Sequence, residues 1–172
     1  MLYEMTVPQF KKMLLNLSRV LDKGAKHAEA KKFDVEVLLG SRLAPDQFNF
    51  IRQIQSVCDT AKLATARLAG HDAPVHEDNE KTLPELKARI EKVIAYLDGF
   101  TVRDFAGAEE RRITTPRWEG RYLTGLEYAT QHAIPNFYFH FTTAYSILRH
   151  NGVDVGKKDY LGEMPFAGRS TG

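Results

Sequence analysis

Three polar side chains spaced four residues apart are the strongest candidates for chemistry in this chain. His132, Asn136 and His140 would lie on one face of an unbroken helix, because four residues advance the helical angle only about 40° past a full turn. Such imidazole and amide groups can bind a metal ion or a small molecule. Pro135 falls inside this ladder and lacks a backbone N–H, so we expect it to interrupt the helix and leave His132 as a loop or capping residue.

A second group of polar residues lies on an earlier apolar-periodic segment. Gln53 and Lys62 lie at the flanks of its apolar stripe, whereas Asp59 lies roughly opposite that stripe. We therefore expect Asp59 and Lys62 to form a solvated i, i+3 ion pair that contributes little to stability. Cys58 falls on the apolar stripe, where a thiol is normally unreactive. The sequence contains no phosphate-binding loop, dinucleotide glycine fingerprint, CxxC pair, HExxH or GxSxG motif.

His140 lies about 80° from the centre of the apolar stripe in the last predicted helix. A histidine at such a flank is typical of a boundary residue with a satisfied hydrogen bond, and a binding role is the alternative. Residues 135–141 are aromatic on nearly every side, and a helix that is apolar all round is normally covered all round. We expect Phe139, nearly opposite the stripe, either to contact a second subunit or to pack beneath residues 100–131.

Composition narrows the class of protein. The chain has 172 residues, a formal net charge of +2, 43% hydrophobic residues and 27% charged residues, which is typical of one globular domain. The small net charge argues against a nucleic-acid partner, and no apolar run approaches the ~18 residues of a membrane span. The start of the chain lacks the features of a signal peptide. The single cysteine favours a reducing compartment, so we expect a cytoplasmic protein.

Helical periodicity with recognisable ends predicts four helices. The first begins at a capping box, Thr6 to Gln9, and ends near Gly24, and a less regular stretch follows over residues 25–45. The second covers residues 46–70, with Asp46 as N-cap and Gly70 as C-cap.

The third predicted helix begins at the capping box Thr82 to Glu85 and ends at Asp98, and the fourth runs from Pro135 to Asn151. Between them, residues 100–131 indicate two short strands around a turn, although a capping box at Thr124 also favours a helix there. The pattern predicts an all-α fold: a four-helix bundle over residues 1–160, with a short β-like or irregular segment between helices 3 and 4 and a loose tail at 161–172.

The last helix carries a family resemblance. The stretches NFYFH and ILRHNG resemble the last helix of DinB/YfiT-like bundles, and PNFYFH…TTAYSILRHNGV…GKKDYLG resembles an uncharacterised branch of that superfamily. Members with an intact site hold a divalent metal with one histidine on the second helix and two on the fourth. The resemblance matches His140 to the second fourth-helix ligand and Asn136 to the first, with Gln53 or Gln55 near the second-helix position. One histidine of three remains, which counts against the metal chemistry of the family, so we expect no cofactor, with a divalent metal as the alternative.

Three functions follow from these residues. The first is a bundle without metal that binds an unknown small molecule or partner through pocket residues Gln53, Gln55, Asn136, His140, Tyr145 and Arg149. The second is a divalent-metal-dependent enzyme, transferase-like or isomerase-like, with the substituted ligands His140, Gln55 and Asp59. The third is a structural or interaction protein that acts as a homodimer.

Overall fold

A computed structural model describes residues 1–168 of the chain. Four long helices form the bundle: α1 (Leu2–Lys31), α3 (Phe50–Ala69), α4 (Leu83–Leu97) and α6 (Ile134–His150). Short helices connect or extend them: α2 (Glu36–Gly40), α5 (Gly125–Tyr128) and α7 (Lys157–Leu161). The predicted all-α four-helix bundle is confirmed. No helix in the described part of the chain is both long and apolar enough to cross a membrane.

The core lies between the four long helices, with α3 packed against each of the other three. Apolar side chains from every long helix are fully buried there, as the amphipathic pattern requires. The ring centroids of Phe10 in α1 and Phe137 in α6 are 4.5 Å apart, which ties the first helix to the last. The predicted core position of Cys58 is confirmed, since its side chain is fully buried.

Two predicted helix ends match the structure, whereas the predicted start of the second long helix is wrong. The Thr82 backbone N–H donates to the Glu85 carboxylate at 2.9 Å, which completes the capping box that starts α4. Helix α3 ends at Gly70, whose φ of 74° suits glycine. The N-cap of α3 is Asn49 rather than Asp46, because the Asn49 side chain accepts the Arg52 backbone N–H at 3.0 Å.

Helix α1 is longer than predicted at both ends. It begins at Leu2, and the Thr6 hydroxyl donates back to the Leu2 carbonyl at 2.7 Å instead of capping a helix start. It continues past Gly24 and ends where Lys32 adopts a left-handed conformation. Gly24 is buried inside α1, and a Cβ there would lie 3.6 Å from a methyl group of Leu148, an ordinary van der Waals distance, so α1 packs directly on α6 at this point.

The segment between α4 and α6 contains both structures that the sequence allowed. Strands β1 (Arg112–Ile113) and β2 (Leu123–Thr124) pair antiparallel, with Arg112 opposite Thr124. Thr124 then caps α5 through a capping box with Glu127. One 3₁₀ turn, Val102–Phe105, precedes the hairpin, and a second, Pro116–Trp118, lies in the loop that connects its two strands.

The predicted helix break at Pro135 is wrong. A π-helical turn, Ala129–Ala133, joins α5 to α6, so a continuous helical path runs from Gly125 to His150. The Ile134 backbone N–H bonds to the Ala129 carbonyl, five residues back, and Pro135 lies in the first turn of α6. A proline is tolerated in a first helical turn because its missing backbone N–H costs little there and its fixed φ suits a helix. Here the π-helical hydrogen bonds end and the α-helical ones begin. His132 is therefore in the helix and not in a loop.

The predicted division into a bundle at 1–160 and a loose tail at 161–172 stays a prediction. Helix α7 packs against α1, and the Asn16 side chain donates to the Tyr160 carbonyl at 3.0 Å. Residues 169–172 of the predicted tail lie outside the described residues.

Candidate functional site

A cleft of about 440 Å³ lies between α3, the helical path from α5 to α6, and the turn Pro116–Trp118. Its volume lies within the range of about 300–1,000 Å³ typical of small-molecule sites. Aromatic, imidazole, guanidinium and hydroxyl groups line it: Phe48, Arg52, Ser56, Asp59, Thr60, Leu63, Arg67, Thr115, Pro116, Arg117, Trp118, Tyr128, His132, Asn136 and His140.

His140 is held in one tautomer. The Gln53 side chain donates from Nε2 to the Phe48 carbonyl at 3.1 Å, which leaves Oε1, an acceptor, 2.7 Å from His140 Nδ1. The His140 proton therefore lies on Nδ1, and Nε2 carries a lone pair with no hydrogen-bond partner in residues 1–168. Burial, followed by the nearby Arg52 guanidinium, lowers the pKa of His140 below its ordinary value. The cleft thus contains a neutral imidazole acceptor.

Asn136 forms a second link between α6 and α3. Its side chain donates from Nδ2 to Thr60 Oγ1 at 2.8 Å, and the Thr60 hydroxyl donates to the Ser56 carbonyl at 2.7 Å. The amide group is therefore oriented before any ligand arrives. The predicted ladder of His132, Asn136 and His140 does share one face, since all three line the cleft.

An aromatic cluster forms the wall beside His132. The imidazole stacks on Tyr128, with centroids 5.5 Å apart and planes at 16°, and Trp118 meets it edge-on at 5.6 Å. Burial, followed by the charge of Arg67, lowers the pKa of His132. His132 Nδ1 is buried without a hydrogen-bond partner in the described residues. Tyr128 itself is buried, so the half-buried Trp118 and His132 rings are the flat surfaces against which a planar group can stack.

Three guanidinium groups face the cleft. Arg52 forms an ion pair with Asp78 and lies over the Phe48 ring at 5.5 Å. Arg67 donates to the Tyr128 hydroxyl at 3.1 Å and lies 5.9 Å from that ring's centroid. Arg117 lies on the 3₁₀ turn at the other side of the cleft and is exposed.

Asp59 is the only carboxylate among the cleft-lining residues in the described chain. Its Oδ1 lies 2.9 Å from Arg89 Nη2 and 3.0 Å from Lys62 Nζ. The predicted solvated pair with Lys62 is wrong, because the Lys62 side chain is only 4% exposed. The pair belongs instead to a largely buried network whose centre is Arg89.

Arg89 joins three acidic side chains behind the cleft wall. Its side chain is 2% exposed and lies 3.0 Å from an Asp78 oxygen and 3.1 Å from a Glu80 oxygen, in addition to Asp59. It also donates to the Glu77 carbonyl at 2.9 Å. The network therefore fixes the segment before α4 against α3.

Comparisons with known proteins agree with this architecture. The sequence profile of a family described as "Domain of unknown function (DUF1993)" matches residues 2–161. The chain belongs to this family. The crystal structure of a DinB family member protein from Shewanella denitrificans is 60% identical, covers 98% of this chain and 96% of that chain, and superposes with a TM-score of 0.96. The predicted resemblance to DinB-like bundles is confirmed. Comparison with curated proteins finds no match.

The cleft of this DUF1993 chain is a poor fit for the divalent metal of the DinB/YfiT-like resemblance. Within residues 1–168, no three His, Cys, Asp or Glu side chains are grouped so that they could hold a metal ion. His140 Nδ1 is bonded to Gln53, and Asn136 supplies an amide, a weak ligand for zinc or nickel. Arg67 and Arg117, which form no ion pair within residues 1–168, would also repel a cation.

The substituted ligand set, His140, Gln55 and Asp59, is not brought together. The Gln55 side chain donates to Glu80 at 2.9 Å and accepts from Arg52 at 3.3 Å, so its polar atoms are used outside the cleft. Asp59 is neutralised by Arg89, as described above.

The six predicted pocket residues fall into two groups. Asn136 and His140 line the cleft, and Gln53 supports His140 from behind. Gln55, Tyr145 and Arg149 lie outside the cleft. Gln55 donates to Glu80, the Tyr145 hydroxyl donates to the Val155 carbonyl at 3.3 Å, and Arg149 donates to the same carbonyl at 2.9 Å.

Phe139 is 56% exposed, so it does not pack beneath residues 100–131. Its ring meets His140 edge-on at 5.2 Å, and His140 in turn stacks with Phe48 at 6.3 Å. An aromatic row therefore runs from the cleft to the surface of α6.

Sequence reasoning did not identify the aromatic wall or the arginines Arg67 and Arg117 as site residues. Trp118 and Arg117 come from a short turn in the irregular segment, and no periodicity marks such a turn. The available signal was weak: Thr115 to Trp118 follows a strand and contains proline, tryptophan and arginine together.

Proposed function

We propose that this protein is a binding module for a small molecule, which it holds in the cleft without a metal ion. One observation carries the proposal: the cleft combines about 440 Å³ of space with an aromatic wall and with two ring nitrogens, His140 Nε2 and His132 Nδ1, that have no hydrogen-bond partner within residues 1–168. Sites of this kind typically contain mostly apolar walls and a few fixed polar groups that orient the ligand.

Pre-organisation supports the proposal. Gln53 orients His140, and Thr60 orients Asn136, so both side chains have fixed positions before binding. A ligand that meets fixed groups loses less free energy in ordering the protein. Because the polar contacts come from the two helices α3 and α6, the site rests on rigid elements.

The chain offers its own reporter for a binding test. Trp118 is the only tryptophan and it lines the cleft, so its fluorescence should change when a ligand enters. We would titrate the whole protein with a panel of small aromatic molecules, neutral and charged, among them indole, quinoline, benzamide and benzoate. Saturation-transfer NMR would confirm each contact without interference from ligand absorbance. We expect at least one member of the panel to bind.

A cleft-filling variant sharpens this test. Ser56→Phe places a ring in the cleft and should abolish binding, whereas Ser146→Phe, a half-buried serine outside the cleft, should not. Thermal melting of both variants checks that each is folded. Equal binding by Ser56→Phe and the unchanged protein, or no binding by any panel member, would overturn the proposal.

Metal analysis addresses the enzyme alternative. Protein purified without a histidine tag should contain no stoichiometric zinc, nickel, manganese or magnesium, because the cleft's arginines oppose a cation. Stoichiometric metal that disappears in His140→Ala would instead support a metal-dependent transferase-like or isomerase-like enzyme.

A homodimer through α6 is a second candidate, favoured by the exposed Phe139. Light scattering at micromolar concentration should then give twice the chain mass, and Phe139→Lys should return the monomer. Monomer mass for the unchanged protein would remove this candidate. We also propose a cytoplasmic location, which the lone buried Cys58 supports.

A further inference from the structure

We propose that the cleft selects an organic anion: an oxyanion group, carboxylate or phosphate, held by Arg67 and Arg117, on a molecule whose flat ring packs against Trp118 and the His132 imidazole. This inference rests on the proposed binding function and names the class of ligand.

The charges around the cleft carry the inference. Its lining contains three arginines and one carboxylate, Asp59. Asp59 is neutralised by Arg89 and Lys62, and Arg52 is neutralised by Asp78. These pairs use every acidic group at the cleft, so they leave an excess of positive charge.

That excess lies on Arg67 and Arg117. Neither guanidinium forms an ion pair with any carboxylate in residues 1–168, although every other charged group of the cleft does. Arg67 is half-buried, and removing a guanidinium from water without a counter-ion is costly. A bound oxyanion would remove that cost.

Arg67 is also pre-oriented. Its Nη1 donates to the Tyr128 hydroxyl at 3.1 Å, and the guanidinium lies 5.9 Å from the Tyr128 ring centroid. A guanidinium has five N–H donors in a rigid fork that matches a carboxylate or phosphate, so donors remain after the tyrosine contact. The same tyrosine stacks with His132, which places the flat wall beside the anion-binding groups.

The imidazoles strengthen the selectivity without adding charge. Burial lowers the pKa of both His132 and His140, so both are neutral near pH 7 and the guanidiniums alone provide the positive charge. His140 Nε2, an acceptor, is then available to a hydrogen-bond donor elsewhere on the ligand.

The experiment compares three probes of nearly equal shape: benzoate, phenyl phosphate and benzamide. Isothermal titration of the whole protein should give at least about tenfold tighter binding of one anion than of neutral benzamide, since charge-assisted bidentate pairs are roughly twice as strong as neutral hydrogen bonds. The stronger of the two anions identifies the oxyanion as carboxylate or phosphate. Added salt should weaken anion binding and leave benzamide binding unchanged.

Two arginine variants test the assignment. Arg67→Gln and Arg117→Gln should each abolish most of the preference for the anion, whereas Arg149→Gln, an exposed arginine outside the cleft, should retain it. Arg117 is exposed, so its variant tests the inference even if Arg67→Gln fails to fold. Equal binding of anion and benzamide, or a preference that survives both variants, overturns the inference.

Failure of the anion inference can be distinguished from failure of the proposed function. If neutral fragments bind and Ser56→Phe excludes them, while no anion is preferred, the cleft is a binding site and the anion inference is wrong. If no fragment of either kind binds, the proposed function itself is wrong.

Discussion

Gln53 determines which nitrogen of His140 faces the cleft. The Gln53 carbonyl oxygen lies 2.7 Å from His140 Nδ1, and its amide nitrogen is committed to the Phe48 carbonyl at 3.1 Å. The two hydrogen bonds fix each other, because only one orientation of the amide satisfies both. An isolated histidine exchanges between two tautomers, whereas this one presents a single lone pair to a ligand.

Replacing that amide by a carboxylate should change the acidity of the imidazole. In Gln53→Glu, a negative charge adjacent to Nδ1 should raise the pKa of His140, because an opposite charge favours imidazolium. NMR titration of the ring carbon and nitrogen signals measures the shift. Ser56→Glu is the control, since it adds the same charge on the same helix and at the same cleft without replacing the side chain that is bonded to His140 Nδ1. A larger shift in the control would contradict the assigned contact.

The stability of the protein should fall as the pH decreases below about 6.5, the pKa of an unperturbed histidine. The pKa values of His76, His132 and His140 are lowered, mainly by burial, so the unfolded chain binds protons before the folded chain does. Stability is complete above pH 6.5 and is lost as the pH falls through the folded-state values.

Urea unfolding at pH 7.5 and pH 5.5 measures this effect in a range where carboxylates remain ionised in both states. His140→Gln should lose less stability between the two pH values than the unchanged protein. His150→Gln, an exposed histidine, provides the control. Identical pH dependence in His140→Gln and the unchanged protein would show that His140 does not contribute.

Loss of Arg89, the centre of the ion network behind the cleft, should destabilise the folded protein. Arg89→Met leaves Asp59, Asp78 and Glu80 without their shared cation, and breaking a buried charge network of this kind costs about 3 kcal/mol of unfolding free energy. Urea denaturation measures the loss. Arg149→Met, an exposed arginine, should change stability by less than about 0.5 kcal/mol. A similar effect for both variants would argue against a structural role for the network.

The thiol of Cys58 should be inert in the folded protein. Burial raises its pKa to about 12, so almost no reactive thiolate forms near neutral pH. Ellman's reagent should modify no cysteine in buffer and one per chain in strong denaturant. Prompt modification of the native protein would mean that the core around α3 opens readily.

The sequence predicts those elements whose ends are set by local chemistry. The capping box at Thr82 and the glycine at Gly70 are such cases, because their hydrogen bonds and backbone angles involve near neighbours. The errors occur where distant contacts decide. Gly24 reads as a helix end, yet it lies inside α1, whose buried face against the rest of the bundle continues through Ala28.

The same distinction between local and distant contacts applies to the candidate site. Helical spacing correctly brings Asn136 and His140 together, since both lie on one helix. Trp118 joins them only through a turn that the hairpin folds across the cleft, and Arg89 is recruited by carboxylates from three separate positions. Neither relationship has a periodic signature in the chain.

The π-helical turn at Ala129–Ala133 sets the direction in which side chains before it point relative to side chains after it. Tyr128 and His140 are twelve residues apart, so at about 100° per residue a regular α-helix would point them about 120° apart. The turn accommodates one extra residue and removes about 100° of that difference, and both side chains line the cleft. Deleting one residue between 129 and 133 should therefore turn this stretch into regular α-helix and keep Tyr128, with the anchor it provides for Arg67, on the face of His140, since eleven residues at about 100° each leave the two about 20° apart.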